Sequence, residues 1–240
     1  MRKIFSLVKS WVLYILFPRV CFCCGADVAR NDGNPLCPEC MKDLKPVQGL
    51  ICRRCGLPLP DGGALCYGCR IKKNFKCGFI RSGLKFTPAS RALAHAFKYG
   101  GYTHLSRFFA PFMYNVFRQN PEFFEADFLV PVPIHKSRRR ERGFNQSLLL
   151  ALDLSRLCGV PCAELLVRKV KTRSQTSLGR KERLENIKEA FACANAAAVR
   201  SGAIILIDDV CTTSATLEEC AGVLRKAGAR EVLAITALRE

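Results

Sequence analysis

A short segment near the C-terminus combines two carboxylates with a run of hydroxyl side chains. Asp208 and Asp209 end an apolar stretch, and small hydroxyl residues follow directly. Carboxylates accept hydrogen bonds from sugar hydroxyls, while side-chain hydroxyls and the free N–H groups at the start of a helix bind phosphate. This order of residue types predicts a site for a phosphorylated ribose. Its expected ligands are Asp208, Asp209, Thr212, Thr213, Ser214, Ala215 and Thr216.

Two other interpretations of this segment are open. The hydroxyl residues could serve only to cap a helix, with the aspartates placed at a strand end. Alternatively, the apolar strand and its acidic end could be the Walker-B-like strand of an ATPase. That second interpretation requires a G-x-x-x-x-G-K-[ST] loop, and the sequence contains none.

The cysteines form a second group with chemical potential. Of fifteen cysteines, eight make up four C-x-x-C pairs. A C-x-x-C turn brings two thiolates to one ion, and two such turns complete a tetrahedral zinc site. The spacing favours pairing neighbours along the chain. The expected Zn²⁺ ligands are Cys21, Cys24, Cys37 and Cys40 for one site, and Cys52, Cys55, Cys66 and Cys69 for the other.

These sites are expected to be structural, because all eight ligands are thiolates and no histidine lies nearby. A disulfide framework is the alternative for so many cysteines. The N-terminal residues lack the pattern of an export signal, so we expect a cytoplasmic, reducing setting in which C-x-x-C pairs bind metal. Two assignments stay open. The first and third pairs could share an ion, and Cys23 could replace a ligand.

A strongly basic segment follows an apolar run at 126–132. Five cations fall within seven residues, and the whole chain has a net charge of +18. Mutual repulsion makes such a run costly unless an anion neutralises it, although a solvated basic loop is the simpler alternative. We therefore expect contact with a pyrophosphate or a DNA backbone. The candidate ligands are Lys136, Arg138, Arg139, Arg140 and Arg142.

After residue 78, apolar segments alternate with amphipathic ones. This pattern predicts an α/β fold with a twisted, mostly parallel sheet and flanking helices. Such sheets bind ligands outside the carboxyl ends of their strands, where the two polar segments would meet. The predicted strands are 79–86, 126–132, 163–168, 203–208 and 231–238, and the predicted helices are 89–98, 104–119, 144–158, 180–189 and 215–227.

Composition divides the chain into three segments. Residues 1–20 are expected to contain an apolar helix at 5–17, residues 21–78 a cysteine-rich double zinc ribbon, and residues 79–240 the α/β domain. The ribbon is too poor in apolar residues to fold without metal. The N-terminal helix is too short to span a membrane, so we expect it to pack on the protein, with peripheral membrane contact as the alternative.

The segment from Ile204 to Thr216 resembles the phosphoribosyl pyrophosphate (PRPP) signature of type I phosphoribosyltransferases. In that family the acidic pair holds the ribose 2′ and 3′ hydroxyls, the next loop holds the 5′-phosphate, and Mg²⁺ accompanies the pyrophosphate. The resemblance implies a phosphoribosyltransferase-like sheet for residues 79–240. The family usually has glycine where this chain has Ser214, which predicts a strained loop or weaker phosphate binding.

The cysteine array and the RGFNQ sequence at 142–146 resemble the ComF family of competence-associated proteins over nearly the whole chain. The resemblance implies a zinc ribbon on a phosphoribosyltransferase fold and a role in taking up single-stranded DNA across the inner membrane. PRPP and single-stranded DNA are the implied partners, at the inner face of the membrane. The basic loops of the zinc ribbon could equally bind a helicase or a membrane partner. The resemblance also implies a mobile loop at 169–183, in which Arg173, Gln175 and Arg180 follow the family pattern.

Two functions could use this site. An enzyme would transfer ribose 5-phosphate from PRPP and release pyrophosphate, but the sequence shows no clear general base. A binding protein would keep the PRPP pocket while basic loops follow a DNA backbone and Phe86, Tyr99 and Phe144 stack on bases. Binding in DNA uptake is the preferred hypothesis, and an active phosphoribosyltransferase of nucleotide metabolism is the alternative.

Overall fold

The computed structural model describes residues 19–28, 34–72, 74–169 and 189–240. Strands and helices alternate after residue 79, as the apolar pattern predicts. In chain order the elements are α1 (Pro38–Lys42), α2 (Tyr67–Ile71), β1 (Ile80–Lys85), α3 (Pro88–Tyr99), α4 (Leu105–Gln119), a 3₁₀ turn (Pro121–Glu125), β2 (Phe128–Pro131), α5 (Lys136–Arg142), α6 (Gln146–Cys158), β3 (Leu166–Arg168), β4 (Phe191–Cys193), α7 (Ala196–Val199), β5 (Ala203–Cys211), α8 (Ala215–Lys226) and β6 (Glu231–Arg239).

Four parallel strands form the main sheet in the order β1-β6-β5-β2. The central strands β5 and β6 are almost continuously apolar because helices cover both faces of the sheet. Ile205 and Ile207 face the core that includes α3, α4 and α6, whereas Ile204 and Leu206 face the core that includes α8. This alternation is the two-residue period of a strand. The predicted parallel sheet with flanking helices is therefore confirmed.

Helix ends coincide with capping residues that the sequence supplies. Thr87 and Ser90 form a reciprocal capping box at the start of α3, which places Pro88 in the first turn. The side chain of Asn145 accepts a hydrogen bond from the Ser147 backbone N–H at the start of α6. These capping residues therefore determine where α3 and α6 begin.

Most of the segment predicted as a strand at 163–168 lies outside the main sheet, although Ala163 donates its backbone N–H to the Leu129 carbonyl of β2 at 2.9 Å. Its ordered part, β3, pairs antiparallel with β4, a strand of three residues that the apolar pattern does not reveal. The predicted helix at 5–17, and all but the last residue of the one at 180–189, lie outside the described residues. Of the helices within those residues, none has both the length and the apolar character needed to cross a bilayer.

The cysteine-rich segment packs against the outermost strand of the main sheet. Lys85 donates its backbone N–H to the carbonyl of Lys45 at 2.7 Å, and Ile80 donates to the carbonyl of Arg54 at the same distance. Gly56 has φ +67°, and a Cβ there would lie 2.6 Å from the Ile80 carbonyl oxygen, so only glycine fits this close approach. The contacts cover an edge that would otherwise expose unpaired N–H and C=O groups.

Candidate functional site

The eight cysteines of the C-x-x-C pairs converge into two clusters of four. Within each cluster all Sγ atoms lie within 4.8 Å of one another. The Sγ atoms of Cys24 and Cys37 are 3.6 Å apart, and so are those of Cys55 and Cys66. Four thiolates around zinc, each at ~2.3 Å, stand roughly 3.8 Å apart, so both clusters fit the ion without rearrangement.

The two clusters contain the residue sets expected from neighbouring pairs. The first holds Cys21, Cys24, Cys37 and Cys40, and the second holds Cys52, Cys55, Cys66 and Cys69. Sharing of an ion between the first and third pairs is therefore not the arrangement observed, and Cys23 belongs to neither cluster. All fifteen cysteines are free thiols, so the disulfide alternative is also not observed. Zinc bound here would join two turns of chain and supply structural stability.

A cleft of about 660 Å³ opens beyond the carboxyl ends of β2 and β5. Helices α3, α5 and α6, the start of α8, and β3 surround it. Its position is the one expected for ligand binding in an open parallel sheet. The cleft brings together every residue predicted for the sugar phosphate. These lining residues are Asp208, Asp209, Thr212, Thr213, Ser214, Ala215 and Thr216.

The two aspartates have different partners although they are adjacent in sequence. Ser147 donates its hydroxyl to Oδ1 of Asp208 at 2.9 Å, and the Asp209 backbone N–H donates to the same oxygen at 2.9 Å. Burial raises the pKa of Asp208 to about 7, and the negative charge of Asp209 acts in the same direction. Asp208 therefore changes charge near neutral pH.

Asp209 forms an ion pair with Lys98 of α3, with 2.7 Å between Nζ and Oδ2. Burial alone would lower the pKa of Lys98, but the charge and hydrogen bond of Asp209 outweigh it and the pKa is raised. Lys98 thus stays protonated. The sequence-based prediction missed this residue. Arg91, His95 and Lys98, all lining the cleft, follow the helical spacing i, i+4, i+7, and this basic stripe was the available signal.

The loop after β5 has the strain that its serine predicts. Ser214 has φ +63° and ψ 3°, a left-handed conformation, and is only 7% exposed. Its side chain makes no cap hydrogen bond, and its Oγ lies 3.6 Å from Sγ of Cys211. The cap-only interpretation therefore does not account for Ser214. The left-handed turn instead directs the first turn of α8, with Ala215 and Thr216, toward the cleft.

The basic segment is a helix rather than the loop that its charge predicts. His135 caps α5 at its start, and Gly143 ends it in a left-handed conformation. Arginine is a good helix former, so like-charge repulsion does not prevent the helix between two caps. Arg138 and Arg142, four residues apart, line the cleft, whereas the other three cations are exposed on the remaining surface. These exposed residues are Lys136, Arg139 and Arg140.

The cations on the cleft wall are held at fixed positions. Arg142 donates to the Tyr99 hydroxyl at 3.3 Å and lies 4.8 Å from the centre of its ring. The pKa of Arg138 is lowered by burial and by the neighbouring charge of Arg142. Arg168 of β3, which the sequence-based prediction missed, lies over the Phe191 ring and also lines the cleft. Such a wall of like charges favours an anionic ligand.

The RGFNQ residues have two roles: Arg142 and Gln146 line the cleft, whereas Phe144 and Asn145 support it from behind. Asn145 caps α6 and donates from its Nδ2 to the Val132 carbonyl at 3.2 Å. Phe144 is partly buried and packs against Phe97, with ring centres 5.9 Å apart. Its stacking on a base stays a prediction. Gln146 accepts from Arg142 at 3.2 Å, is 2% exposed, and its Nε2 has no hydrogen-bond partner within the described chain.

All of the predicted mobile loop except Lys169 lies outside the described residues, and with it Arg173, Gln175 and Arg180. Its two ends are described at β3 and β4. Because Arg168 already lies in the cleft, the chain enters the undescribed segment immediately beside the site. The contribution of Arg173, Gln175 and Arg180 stays a prediction.

Comparison with known proteins gives a consistent picture along the chain. A model described as a double zinc ribbon domain matches residues 12–70. Competence protein F of Haemophilus influenzae is 32% identical over 206 residues, which cover 83% of this chain and 88% of that protein. The DNA utilization protein YhgH of Salmonella typhimurium is 27% identical over 219 residues, which cover 90% of this chain and 94% of that protein.

Solved structures are more distantly similar. The glutamine phosphoribosylpyrophosphate amidotransferase from B. subtilis is 18% identical, with a TM-score of 0.37. The match covers 58% of this chain and 26% of the other, so this chain spans about a quarter of that protein. A likeness of this degree carries no inference about activity, and the fold class rests on the sheet and helices described above.

Proposed function

We propose, from the premise that this chain belongs to the competence protein F (ComF) family, that it binds PRPP in the cleft and acts on single-stranded DNA during DNA uptake. Family membership rests on the identity to the Haemophilus protein over most of both chains. The observation that supports the ligand is the meeting of Asp208, Asp209 and the left-handed loop at Ser214 inside a cationic cleft.

The ribose end of the ligand would lie against the end of β5. Asp208 and Asp209 offer carboxylate oxygens that accept hydrogen bonds from vicinal sugar hydroxyls. The 5′-phosphate would rest on the backbone of residues 212–216, where the start of α8 supplies N–H donors and the positive end of the helix dipole. This chain therefore offers acceptors for the sugar and donors for the phosphate within one turn of backbone.

The pyrophosphate end would face the arginine wall. Arg138, Arg142 and Arg168 line the cleft and come from α5 and β3, not from the loop at Ser214. Arginine side chains bind phosphate oxygens through two parallel N–H donors. Mg²⁺ fits the donor set, because carboxylates of Asp208 and Asp209 and phosphate oxygens are hard ligands. When bound, the ion neutralises charge on the pyrophosphate.

A nucleic-acid role is supported by the charge that the cleft does not use. Lys136, Arg139 and Arg140 lie exposed on α5, beside the cleft entrance. Exposed cations in a row contact successive phosphates and give an affinity that falls steeply with salt. The proposal includes a cytoplasmic location, where eight thiolates stay reduced, at the inner face of the membrane with a helicase-type partner.

A PRPP titration by calorimetry tests the ligand. The chain is expected to bind PRPP with Mg²⁺, and Asp209→Ala is expected to lower the affinity by more than about tenfold, since a hydrogen bond to a charged group contributes roughly 1.5–3 kcal/mol. Asp61→Asn, at an exposed position in the ribbon, is the matched control. A circular dichroism spectrum like that of the unchanged protein must accompany the loss. Unaltered PRPP affinity in Asp209→Ala would overturn the ligand.

Catalysis is the second candidate function, supported by the raised pKa of Asp208. In this reaction an acceptor attacks C1′ of the ribose, the C1′–O bond breaks, and pyrophosphate leaves with the bonding electrons. Asp208 would accept the proton of the acceptor. Measuring pyrophosphate release from PRPP with and without single-stranded DNA separates the two functions. Release that needs an acceptor favours the enzyme, and salt-sensitive DNA binding without release favours the binding protein.

A further inference from the structure

One buried guanidinium joins the second cysteine cluster to the phosphate loop. Arg239, the last residue of β6, is 5% exposed. Its Nη1 donates to the carbonyls of Cys211 and Thr212, both at 2.8 Å, and to the Glu240 backbone oxygen. Its Nε donates to the Cys55 carbonyl at 3.1 Å, and its Nη2 lies 3.6 Å from the Cys55 sulfur. A single side chain therefore contacts a cluster residue through two atoms and the loop through two carbonyls.

Arginine is suited to this position because its planar group carries five donors in a fixed geometry. A buried cation normally requires a compensating charge. Four thiolates with one Zn²⁺ carry a net charge of about −2, and the Cys55 sulfur is the nearest part of that group. The charge of Arg239 is thus matched to the zinc-loaded second cluster rather than to an acidic side chain.

A second contact ties the same module to the helix behind the loop. Glu218 of α8 is buried and accepts backbone N–H bonds from Lys76 and Cys77 at 3.0 and 3.1 Å. It also pairs with Lys72, with 2.8 Å between the charged atoms. Lys72 directly follows α2, and the N-cap residue of that helix is Cys66 of the second cluster. Both the loop and the first turn of α8 are therefore held from one module.

The first cysteine cluster has a different neighbourhood. Phe22 packs its ring against Tyr102, with centres 4.6 Å apart, and Asp43 accepts from the Ala89 backbone N–H at 3.0 Å. These contacts lead to α3 and the turn after it. Neither of these two contacts involves residues 211–214. The first cluster is therefore the natural internal control.

We propose that Arg239 is a positioning residue that couples zinc at the second cluster to the phosphate loop. With the ion bound, Cys55 holds the guanidinium, which fixes the carbonyls of Cys211 and Thr212 and so the left-handed turn at Ser214. Loss of the ion frees this contact, and the loop loses its preorganised shape. The identity of the loop's ligand rests on the proposed function, whereas the coupling between ion and loop does not.

Zinc release provides the first test and does not depend on the ligand. Transfer of zinc to a chromogenic chelator is measured for the full chain, for Arg239→Met and for Arg239→Lys. Both variants are expected to lose one equivalent at least about tenfold faster, as for other residues that support metal ligands, while the second equivalent is unaffected. Lysine keeps the charge but cannot bridge three carbonyls. Unaltered release in both variants would overturn the proposal.

Amide hydrogen exchange provides the second test, with matched cysteine variants. Cys66→Ser in the second cluster is expected to increase exchange in peptides covering 209–216, whereas Cys24→Ser in the first cluster leaves it unaltered. Equal effects of both variants would contradict the coupling. The unchanged protein supplies an independent measurement, because linkage requires PRPP to raise the affinity of one zinc site by the same factor by which zinc at that site raises the affinity for PRPP.

The two proposals fail in different ways. If PRPP does not bind the unchanged protein at all, the proposed function is wrong, while zinc release in Arg239→Met and exchange in Cys66→Ser still decide the coupling. If PRPP binds, but neither PRPP nor substitution of Arg239 alters the release of either zinc equivalent, the proposed coupling is wrong and the ligand assignment stands.

Discussion

Asp208 and Asp209 point to separate partners, and this division sets their charge states. Asp209 pairs with Lys98, whereas the donors to Asp208 within the described residues are the Ser147 hydroxyl and the Asp209 backbone N–H. A carboxyl that is buried beside another carboxylate keeps its proton to higher pH. The adjacent acidic residues are therefore chemically unequal, which their identical side chains conceal.

The raised pKa of Asp208 gives a stability that depends on pH. In the folded chain its pKa is about 7, against 3.8 for the ordinary side chain. Asp208 therefore binds a proton more tightly in the folded state than in the unfolded state. The resulting contribution to folding stability is complete below about pH 4 and is lost as the pH rises to about 7. At pH 8 the free energy of unfolding of Asp208→Asn is expected to exceed that of the unchanged protein by about 1–2 kcal/mol. At pH 4 this difference is expected to disappear.

Urea unfolding at the two pH values checks this expectation, with Asp61→Asn as the exposed control. A difference between Asp208→Asn and the unchanged protein that is the same at pH 4 and pH 8 would contradict it. PRPP affinity gives a parallel readout, since an ionised Asp208 accepts hydrogen bonds from sugar hydroxyls more strongly than a protonated one.

Ser214 offers a direct measure of strain in the phosphate loop. Replacement by Gly and by Ala removes the same hydroxyl, but only Ala keeps a Cβ at φ +63°. Ser214→Gly is therefore expected to be more stable than Ser214→Ala by about 1 kcal/mol. Thermal unfolding of the two variants measures the difference. Equal stability would mean that the left-handed turn carries no strain.

Helix α5 separates its charges into two groups with different expected uses. Arg138 and Arg142 face the cleft, and Arg139 and Arg140 face solvent. Forming a helix turns a run of cations into two surfaces, because residues four apart share a face and neighbours do not. The function of each arginine therefore depends on its helical position rather than on membership of the run.

Paired variants of α5 test this separation. Arg138→Ala with Arg142→Ala is expected to weaken pyrophosphate binding by at least about tenfold, since each removes a charge-assisted hydrogen bond of roughly 1.5–3 kcal/mol. Arg139→Ala with Arg140→Ala is expected to leave pyrophosphate affinity within twofold. It is also expected to reduce the slope of log affinity for single-stranded DNA against log salt by the amount that about two phosphate contacts contribute. Calorimetry and fluorescence anisotropy measure the two affinities. The reverse pattern would contradict the division.

The elements that sequence predicts best are those with long-range apolar periodicity. The runs at Ile204–Ile207 and Val232–Ile235 identify central strands because burial on both faces leaves no polar position. The four C-x-x-C pairs identify the metal clusters because ligand spacing is local. Arg168 and Arg239 could not be assigned in the same way, since their partners lie far away in sequence and are set by packing.

The cysteine module and the sheet share one continuous hydrogen-bonded surface. The module contacts the backbone of β1 at Ile80 and Lys85, and it contacts α8 through Glu218. These contacts predict that zinc stabilises more than the module that binds it, because part of the folding energy of the sheet depends on the docked edge.

Zinc removal with limited proteolysis tests this expectation. A chelator is expected to expose cleavage sites in residues 21–77 first, because the module lacks a core of its own. The midpoint of thermal unfolding of the remaining α/β domain is then expected to fall, as the β1 edge loses its cover. A metal-free preparation whose module resists protease would show that zinc does not hold it. An unaltered unfolding midpoint would show that docking contributes no stability.

The cover over β1 also bears on how the protein behaves at high concentration. Once the hydrogen bond between the Lys85 backbone N–H and the Lys45 carbonyl is lost, β1 exposes unpaired backbone N–H and C=O groups. Such an edge pairs readily with an exposed strand of another molecule. Two molecules in that state could join side by side through their sheets. Cellular zinc supply would then govern solubility, and zinc depletion would first appear as aggregation of chains whose α/β domain is still folded.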